Sequence, residues 1–576
     1  MVEVNFLIGG EAGQGVQSMG YILAMTMAKG GYHVFANQDY ESRIRGGHNF
    51  FQVRVSDHPI QAVSEDVNLI IALDESTIKL HKQELVKGGL IIFDDESIGI
   101  GEEEPFLFSV PLERLALETT GNRIMGNTVG LGAVLRVVNS DLTALSAVLK
   151  KIFGKVSQEV AEKNVTAAKV GYDYVQERCT TDFDYSLAPI NTSNRMVLNG
   201  VEAIAIGALA AGCKVMSGYP MTPSTGILQY FAGKSEICHV VFEQAEDEIA
   251  AINMVLGASY AGVRAMTATS GGGFALMTEG LSLAGMTETP AVIVVGQRVG
   301  PATGFPTRTE QGELEFVIHA GHGMFPRAVF APGTVEEAFY LTAKAFNIAE
   351  KHQIPVIILT DTYLSDSYVT TEKFDLSRIT IDRGEFLSDM EIEALGKYKY
   401  LRYKFTESGI SPRVIPGQAY ALVVADSDEH TEDGHITESA EVRIQMVQKR
   451  LKKLDGVRKE VGPPSTYGPH EASTVLVCWG STYGAVREAV DKLNKGDDVV
   501  RMIHISEVWP FPRERFVDLM KGAEQFIVVE SNVMGQMTHL IRAETGLEAA
   551  GKILKYDGRP LTPLYIVNKF HEEARG

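Results

Sequence analysis

The chain has 576 residues, about four domains' worth at roughly 150 residues each. Its 45% hydrophobic and 22% charged residues exclude wholesale disorder. Its 53 basic against 73 acidic residues, a net charge of −20, disfavour a surface for nucleic acid, which needs clustered Lys and Arg.

The chain opens on an apolar strand, Val2 to Ile8, followed by Gly9-Gly-Glu-Ala-Gly13-Gln-Gly15 and a helical pattern from Val16 to Ala28. The spacing Gly10-x-x-Gly13-x-Gly15 is not G-x-G-x-x-G, and no Walker lysine follows. A tight strand-to-helix turn is favoured over dinucleotide binding, with an anion at the helix start left open. Arg43-Ile-Arg45-Gly46-Gly47-His48 reads either as a contact for a phosphate-bearing ligand or as a solvated bend. Strands are expected at His33–Ala36, Phe51–Val55, Leu69–Leu73 and Leu90–Phe93, with a helix over Glu75–Val86 capped by Asp74. Such alternation predicts an α/β fold with open, mostly parallel sheets.

Periodicity fades over residues 180–195, the first expected boundary. Beyond it, Val215–Met216, Val240–Phe242, Arg264–Thr269, Ala291–Val295, Ala328–Phe330 and Val356–Thr360 read as buried parallel strands. Residues 376–470 are charged and punctuated by Pro and Gly, which predicts an excursion linking domains, with a helix at Ala440–Leu454. A last α/β unit follows, with strands Val475–Trp479, Val499–His504 and Phe526–Glu530. The expected layout is thus 1–185, 195–375, the excursion 376–470, and 471–576.

Three stretches in the second unit carry polar side chains at strand ends, where α/β proteins place ligands. Tyr219-Pro220-Met-Thr222-Pro-Ser-Thr225 sets Thr222 between two prolines, leaves three hydroxyls free and suits a carboxylate or phosphate contact, or a Pro-bounded helix start. Thr269-Ser270-Gly271 ends one strand, and Gln297-Arg298 opens a loop that runs to Thr307-Arg308. The acidic segment 242–251 reads first as a solvated helix start. With Ala245, Ile249, Ile252 and Leu256 as an apolar stripe, Glu248 lies about 60° from Ala245 on a helical wheel, against about 100° for Glu246 and about 160° for Glu243. Glu248 is therefore the carboxylate expected to border the buried face.

The four cysteines, Cys179, Cys213, Cys238 and Cys478, have no CxxC spacing, so neither a disulfide framework nor a metal site or cluster of this chain's own is expected. The longest apolar run, Ala203 to Cys213, is shorter than the roughly 18 residues of a membrane span, and no secretory signal opens the chain. A cytoplasmic protein is the expectation.

Taken together, these motifs resemble the 2-oxoacid:ferredoxin oxidoreductases, specifically an α subunit with the γ domain fused to its amino terminus. Gly9 to Gly15 and Arg45-Gly-Gly47 resemble the γ domain (1–185). Tyr219-Pro-Met-Thr-Pro223, residues 243–251, Thr269-Ser-Gly271 and Gln297-Arg-Val-Gly-Pro301 resemble the thiamine diphosphate pyrimidine-binding domain (195–375). Residues 471–576 resemble the transketolase carboxy-terminal domain. Met221 departs from the family's usual Ile.

The resemblance implies oxidation of a 2-oxoacid with coenzyme A to an acyl-CoA and carbon dioxide, with electrons passing to ferredoxin, or the reverse carboxylation. It implies that Glu248 hydrogen-bonds the cofactor's pyrimidine N1′, and that Tyr219, Pro220, Thr269, Ser270 and Gly271 line the cofactor. Thr222, Arg298 and Thr307 would grip the substrate carboxylate, with Arg308 able to exchange roles with Arg298. Gly13, Gly15, Arg45 and Gly46 are the candidates for coenzyme A. No Gly-Asp-Gly segment occurs, so Mg²⁺, the diphosphate half of the site and an iron–sulfur cluster are expected on a β subunit, in a complex of two α and two β chains. Gly321-His-Gly-Met-Phe-Pro-Arg327 and Gly434-His-Ile-Thr-Glu438 resemble 2-oxoglutarate enzymes more than pyruvate enzymes, while branched-chain 2-oxoacid enzymes share part of them. A non-catalytic electron-transfer or nucleotide-binding scaffold, and a CoA ligase, are the readings outside this class.

Overall fold

The structure is a computed structural model and describes residues 2–43, 46–99, 104–179, 183–190, 194–496 and 498–573. It divides into two compact units. The first holds residues 1–199, 366–373 and 562–565; the second holds 200–365, 374–561 and 566–576.

The first unit is built on one eight-stranded sheet, in the order Leu107–Ser109, Leu85–Phe93, Val67–Ala72, Glu3–Ala12, Gly46–Ser56, His33–Asp39, Tyr368–Thr371, Met196–Leu198. Its first four strands run parallel and the rest pair antiparallel. Residues Phe6, Ile8, Leu69, Ile71, Leu90 and Ile92 alternate onto one face and bury against helices that include Val16–Lys29. The expected helix over 75–86 stops at His81, because the chain turns into the strand Leu85–Phe93. Gly13 and Gly15 close the first strand-to-helix turn at φ 99° and 84°, a backbone region that side chains resist.

The second unit carries two sheets. The larger runs Glu507–Trp509, Ala328–Phe330, Pro355–Asp361, Ala291–Gln297, Ala265–Ser270, Val215–Gly218, Val241–Gln244. All its pairings are parallel except that of Glu507–Trp509. The smaller sheet orders Ser465–Tyr467, Val500–Ile505, Thr474–Trp479, Gln525–Glu530, Gly551–Leu554. Ile293, Val295, Ile357 and Leu359 share one buried cluster with Val477, Ile503 and Val528, so the two sheets have a common core.

Residues 376–470 pack closely on this unit. Arg264, Arg383 and Arg413 all reach Glu350, with N···O separations of 2.6, 2.6 and 3.3 Å. The helix here spans Ala440–Glu460, and its inward positions Met446, Lys449, Arg450, Lys453 and Val457 follow helical spacing although most are charged. Lys449 donates to both oxygens of Glu288 (2.7 and 2.8 Å), and Arg450 donates to both of Glu429 (2.9 Å each). Paired in this way, the charges can be buried where isolated ones could not.

Candidate active site

Parallel pairing brings the carboxyl ends of Val215–Gly218, Ala265–Ser270 and Ala291–Gln297 to one edge of the larger sheet, side by side. The Tyr219–Thr225 loop, the Ser270–Gly273 turn and Arg298 all leave from that edge. Ser224 Oγ donates to the Thr269 carbonyl (2.5 Å) and ties the first of these loops to the second. Arg298 Nη1 donates to the Thr222 carbonyl (2.9 Å) and ties the first to the third. The carboxylate-gripping candidates Thr222 and Arg298 therefore meet directly, though through the backbone of Thr222.

Glu248 completes the group. The neighbouring strand Val241–Gln244 runs into a bend, and Asp247 caps the helix Glu248–Tyr260 by accepting from Ala250 N (2.7 Å). Such a cap is worth about 0.5–2 kcal/mol to its helix. It makes Glu248 the first helical residue, heading a buried stripe of Ala251, Ile252, Val255, Leu256 and Ser259. Glu248 is only 3% exposed, whereas Glu243 and Glu246 lie open to solvent. The stripe expected from the sequence holds at Ile252 and Leu256 and needs correcting at two members: Ala245 precedes the helix, and Ile249 is 46% exposed.

Glu248 Oε1 is buried without a hydrogen-bond partner, and so are the hydroxyls of Thr267, Thr269 and Ser270. Gly273 faces this cluster so closely that a Cβ there would stand 2.6 Å from Glu248 Oε1. Orphaned buried polar atoms are costly unless a ligand satisfies them. A carboxylate oxygen beside the Thr269 hydroxyl, in a cradle cleared by glycine, fits a flat polar heterocycle such as an aminopyrimidine. The chemistry thiamine diphosphate supplies is a carbanion-forming thiazolium carbon. Were that cofactor bound, Glu248 and Thr269 are the residues that would meet its pyrimidine edge, and Arg298 and Thr222 those that would face an anion beside it.

The remaining candidates spread around this edge. Tyr219 and Pro220 are exposed, and Ser270 and Thr269 are fully buried. Thr307 and Arg308 are half-buried. The Arg308 carbonyl accepts from Thr362 Oγ1 (3.1 Å), and a Cβ at Gly558 would stand 3.1 Å from Arg308 Cβ, so its stem lies against that glycine. Arg298 is joined to the Tyr219–Thr225 loop. The sequence reading missed Glu313, whose carboxyl presses on Gly271 and whose backbone N–H donates to Gln297 Oε1 (3.1 Å).

In the first unit, Gly13 and Gly15 line a cavity of about 490 Å³ together with Asp74, Asp94, Arg123 and Asn127. Asn127 Nδ2 donates to the Gln14 carbonyl (2.7 Å) and braces the glycine turn. Gly46 instead begins a strand, opposite Ala12. Arg45 lies outside the described residues. Among the described residues no three His, Cys, Asp or Glu side chains converge to hold a metal, and no helix is long and apolar enough to cross a membrane.

Comparison with known proteins gives these features a common setting. Residues 206–449 match the thiamine diphosphate-binding family of pyruvate flavodoxin/ferredoxin oxidoreductases, residues 5–174 the pyruvate ferredoxin/flavodoxin oxidoreductase family, and residues 472–566 core domain II of pyruvate:ferredoxin oxidoreductase. Fold and site thus define an oxidoreductase chain with a thiamine diphosphate-binding domain. The chain is 32% identical to the α subunit of a Sulfolobus sp 2-oxoacid:ferredoxin oxidoreductase, over 97% of this chain and 95% of that one. It is 26% identical to the 2-oxoglutarate oxidoreductase subunit KorA of Mycobacterium tuberculosis, over 93% and 86%. It is similar throughout, with TM-score 0.92, 33% identity and 100% of both chains covered, to the 2-oxoglutarate:ferredoxin oxidoreductase from Magnetococcus marinus with 2-oxoglutarate, coenzyme A and succinyl-CoA bound. The chain belongs to the 2-oxoacid:ferredoxin oxidoreductase α-subunit family.

Proposed function

We propose that the chain is the α subunit of a thiamine diphosphate-dependent 2-oxoglutarate:ferredoxin oxidoreductase. The reaction joins 2-oxoglutarate, coenzyme A and oxidised ferredoxin to give succinyl-CoA, carbon dioxide and reduced ferredoxin, and the same site could run it as a carboxylase. The observation that carries the cofactor is the unpartnered Glu248 Oε1 beside the unpartnered Thr269 hydroxyl, both facing Gly273. The preference for 2-oxoglutarate rests on the end-to-end likeness to the Magnetococcus marinus protein.

In this reading Glu248 accepts a proton shared with the pyrimidine ring nitrogen, the general acid–base role expected of a positioned buried carboxylate. Tyr219, Pro220, Thr269, Ser270 and Gly271 shape the cofactor's seat. Arg298 supplies fixed positive charge to the substrate carboxylate, with Thr222 and Thr307 as hydroxyl donors. Coenzyme A is assigned to the γ domain, with Gly13 and Gly15 as its candidates. A β subunit brings Mg²⁺ and the iron–sulfur cluster, in a cytoplasmic α₂β₂ complex that hands electrons to ferredoxin.

The test is reduction of methyl viologen by the co-expressed complex with coenzyme A and 2-oxoglutarate, pyruvate or 2-oxoisovalerate in turn. A kcat/KM highest for 2-oxoglutarate supports the proposal. A maximum on pyruvate or 2-oxoisovalerate reassigns the substrate, and no reduction with any of them returns the chain to a scaffold role.

A further inference from the structure

Glu313 stands at the same strand edge, outside the groups that would touch cofactor or substrate. A Cβ at Gly271 would lie 2.5 Å from Glu313 Oε1, so the carboxyl sits directly over the turn that leaves Ser270. The residue as a whole is part-exposed, yet its Oε2 is shielded from solvent and has no hydrogen-bond partner. A carboxylate charge there is neither hydrated nor satisfied. Its charged surroundings are Arg298 on the adjoining loop, Glu310 on its own loop, and Glu248 across the Gly271–Gly273 turn. Gln297, which holds its backbone N–H, is uncharged.

We propose that Glu313 is a positioning residue for the 2-oxoacid: held uncharged beside Arg298, it leaves the guanidinium's positive charge for the substrate carboxylate. An ionised Glu313 would compete with the substrate for that charge and would repel it as well. The inference rests on Arg298 being the substrate's partner. Burial pushes the Glu313 carboxyl up to about 8, with Glu310 adding to the rise and Arg298 opposing it. The group is therefore neutral at pH 7 and ionises on mild alkalinisation. Because Glu313 acts through Arg298, its ionisation weakens 2-oxoacid binding and leaves the chemical step largely intact.

The experiment is a pH profile of the assembled complex. In the wild type, KM for the 2-oxoacid should climb above a pH of about 8, approaching tenfold per unit, while kcat changes little. In Glu313→Gln, neutral at every pH, that climb should disappear and KM at pH 7 should stay within a few-fold of wild type. An unchanged climb in Glu313→Gln overturns the inference, as does a folded Glu313→Gln complex without turnover at any pH. Infrared spectroscopy of the wild-type complex decides the matter if the variant fails to assemble. A neutral-carboxyl band lost with the same midpoint as the rise in KM supports the inference, and the lack of one overturns it. Asp361 and Asp366, raised by burial only to about 6, titrate apart from it. A complex inactive on every 2-oxoacid sinks the functional reading and this role together; an active complex with an unchanged profile sinks Glu313 alone.

Discussion

Gly273 lies against Glu248, and the first turn of one helix leaves room for the first residue of another. A Cβ at Gly273 would stand 2.6 Å from Glu248 Oε1 and press on Thr269 Oγ1 more closely still. The buried carboxylate keeps its position because this neighbour has no side chain. Gly273→Ala should therefore displace Glu248, lower thiamine diphosphate affinity at least tenfold in the complex, and leave the chain folded. Calorimetric titration of the cofactor, alongside circular dichroism, checks this; unchanged affinity would refute the cradle.

Glu248→Gln should cut turnover about 100-fold or more, the usual scale for losing a positioned acid–base group. Glutamine keeps the shape, so thermal stability should hold. Glu243→Gln and Glu246→Gln, on exposed carboxylates, should stay near wild type. Steady-state kinetics on the three variants settles the assignment, and a loss confined to Glu243→Gln would move the role to that residue.

The burial of Glu248 was expected from a helical wheel, yet Glu243 lies in a strand and Glu246 precedes the helix, so only its spacing to Ile252 and Leu256 holds. The stripe was misread at Ala245 because the helix begins only at Glu248, after its Asp247 cap, and caps are local geometry that composition shows poorly. Other features depend on partners far along the chain. Tyr368–Thr371 completes the amino-terminal sheet by pairing with Phe35 and Ala36, which no local pattern announces. Lys449 belongs to a charged segment that reads as an excursion linking domains, and its partner Glu288 is 161 residues away. Glu313 carries no motif: its neighbours at the site come from the turn at Gly271 and the loop at Arg298.

Arg298→Ala should mainly impair use of the 2-oxoacid. Losing the charged partner of a buried anion costs about 3–5 kcal/mol, so kcat/KM should fall 100-fold or more. Thiamine diphosphate titrations should stay close to normal. Arg308→Ala should have a smaller effect, since the Arg298 guanidinium holds the Thr222 loop. Saturation curves with varied 2-oxoacid separate the two arginines, and the reverse order would exchange their roles.

The cluster around Glu288 makes a pH-dependent contribution to stability. Burial alone would raise the Glu288 carboxyl, but Lys449, Lys453 and Arg402 together outweigh it and hold the group well below the usual range. Three cations surround this one anion, and burial brings Lys453 down to about 7 against the pull of Glu288. A lysine depressed in the folded state binds fewer protons there than when unfolded, so its contribution to stability increases from about pH 7 to about 10.5. Lys453→Met should flatten that increase, whereas Glu288→Ala, which strands the cations, should cost about 3–5 kcal/mol. Urea unfolding across pH tests both, and a wild-type slope retained in Lys453→Met would count against the assignment.

Purified by itself, the chain should be colourless, inactive and a weak binder of thiamine diphosphate. The diphosphate of such a cofactor is commonly held through a divalent ion, and the sequence has no Gly-Asp-Gly segment to anchor one. Without that ion, several cofactor negative charges would meet a chain of net charge −20. Of the four cysteines, Cys213 and Cys478 are buried, and burial pushes both thiols well up, away from the thiolate a cluster requires. The proposed function therefore expects electrons leaving the substrate to pass to an acceptor on another chain. Co-expression with a β subunit should give a brown complex, with two copies of each chain by light scattering, and viologen reduction that neither chain shows alone. Visible spectra, iron analysis and the viologen assay on the separate chain and the complex check each part. An α chain that is brown or active when purified alone would refute the division of labour.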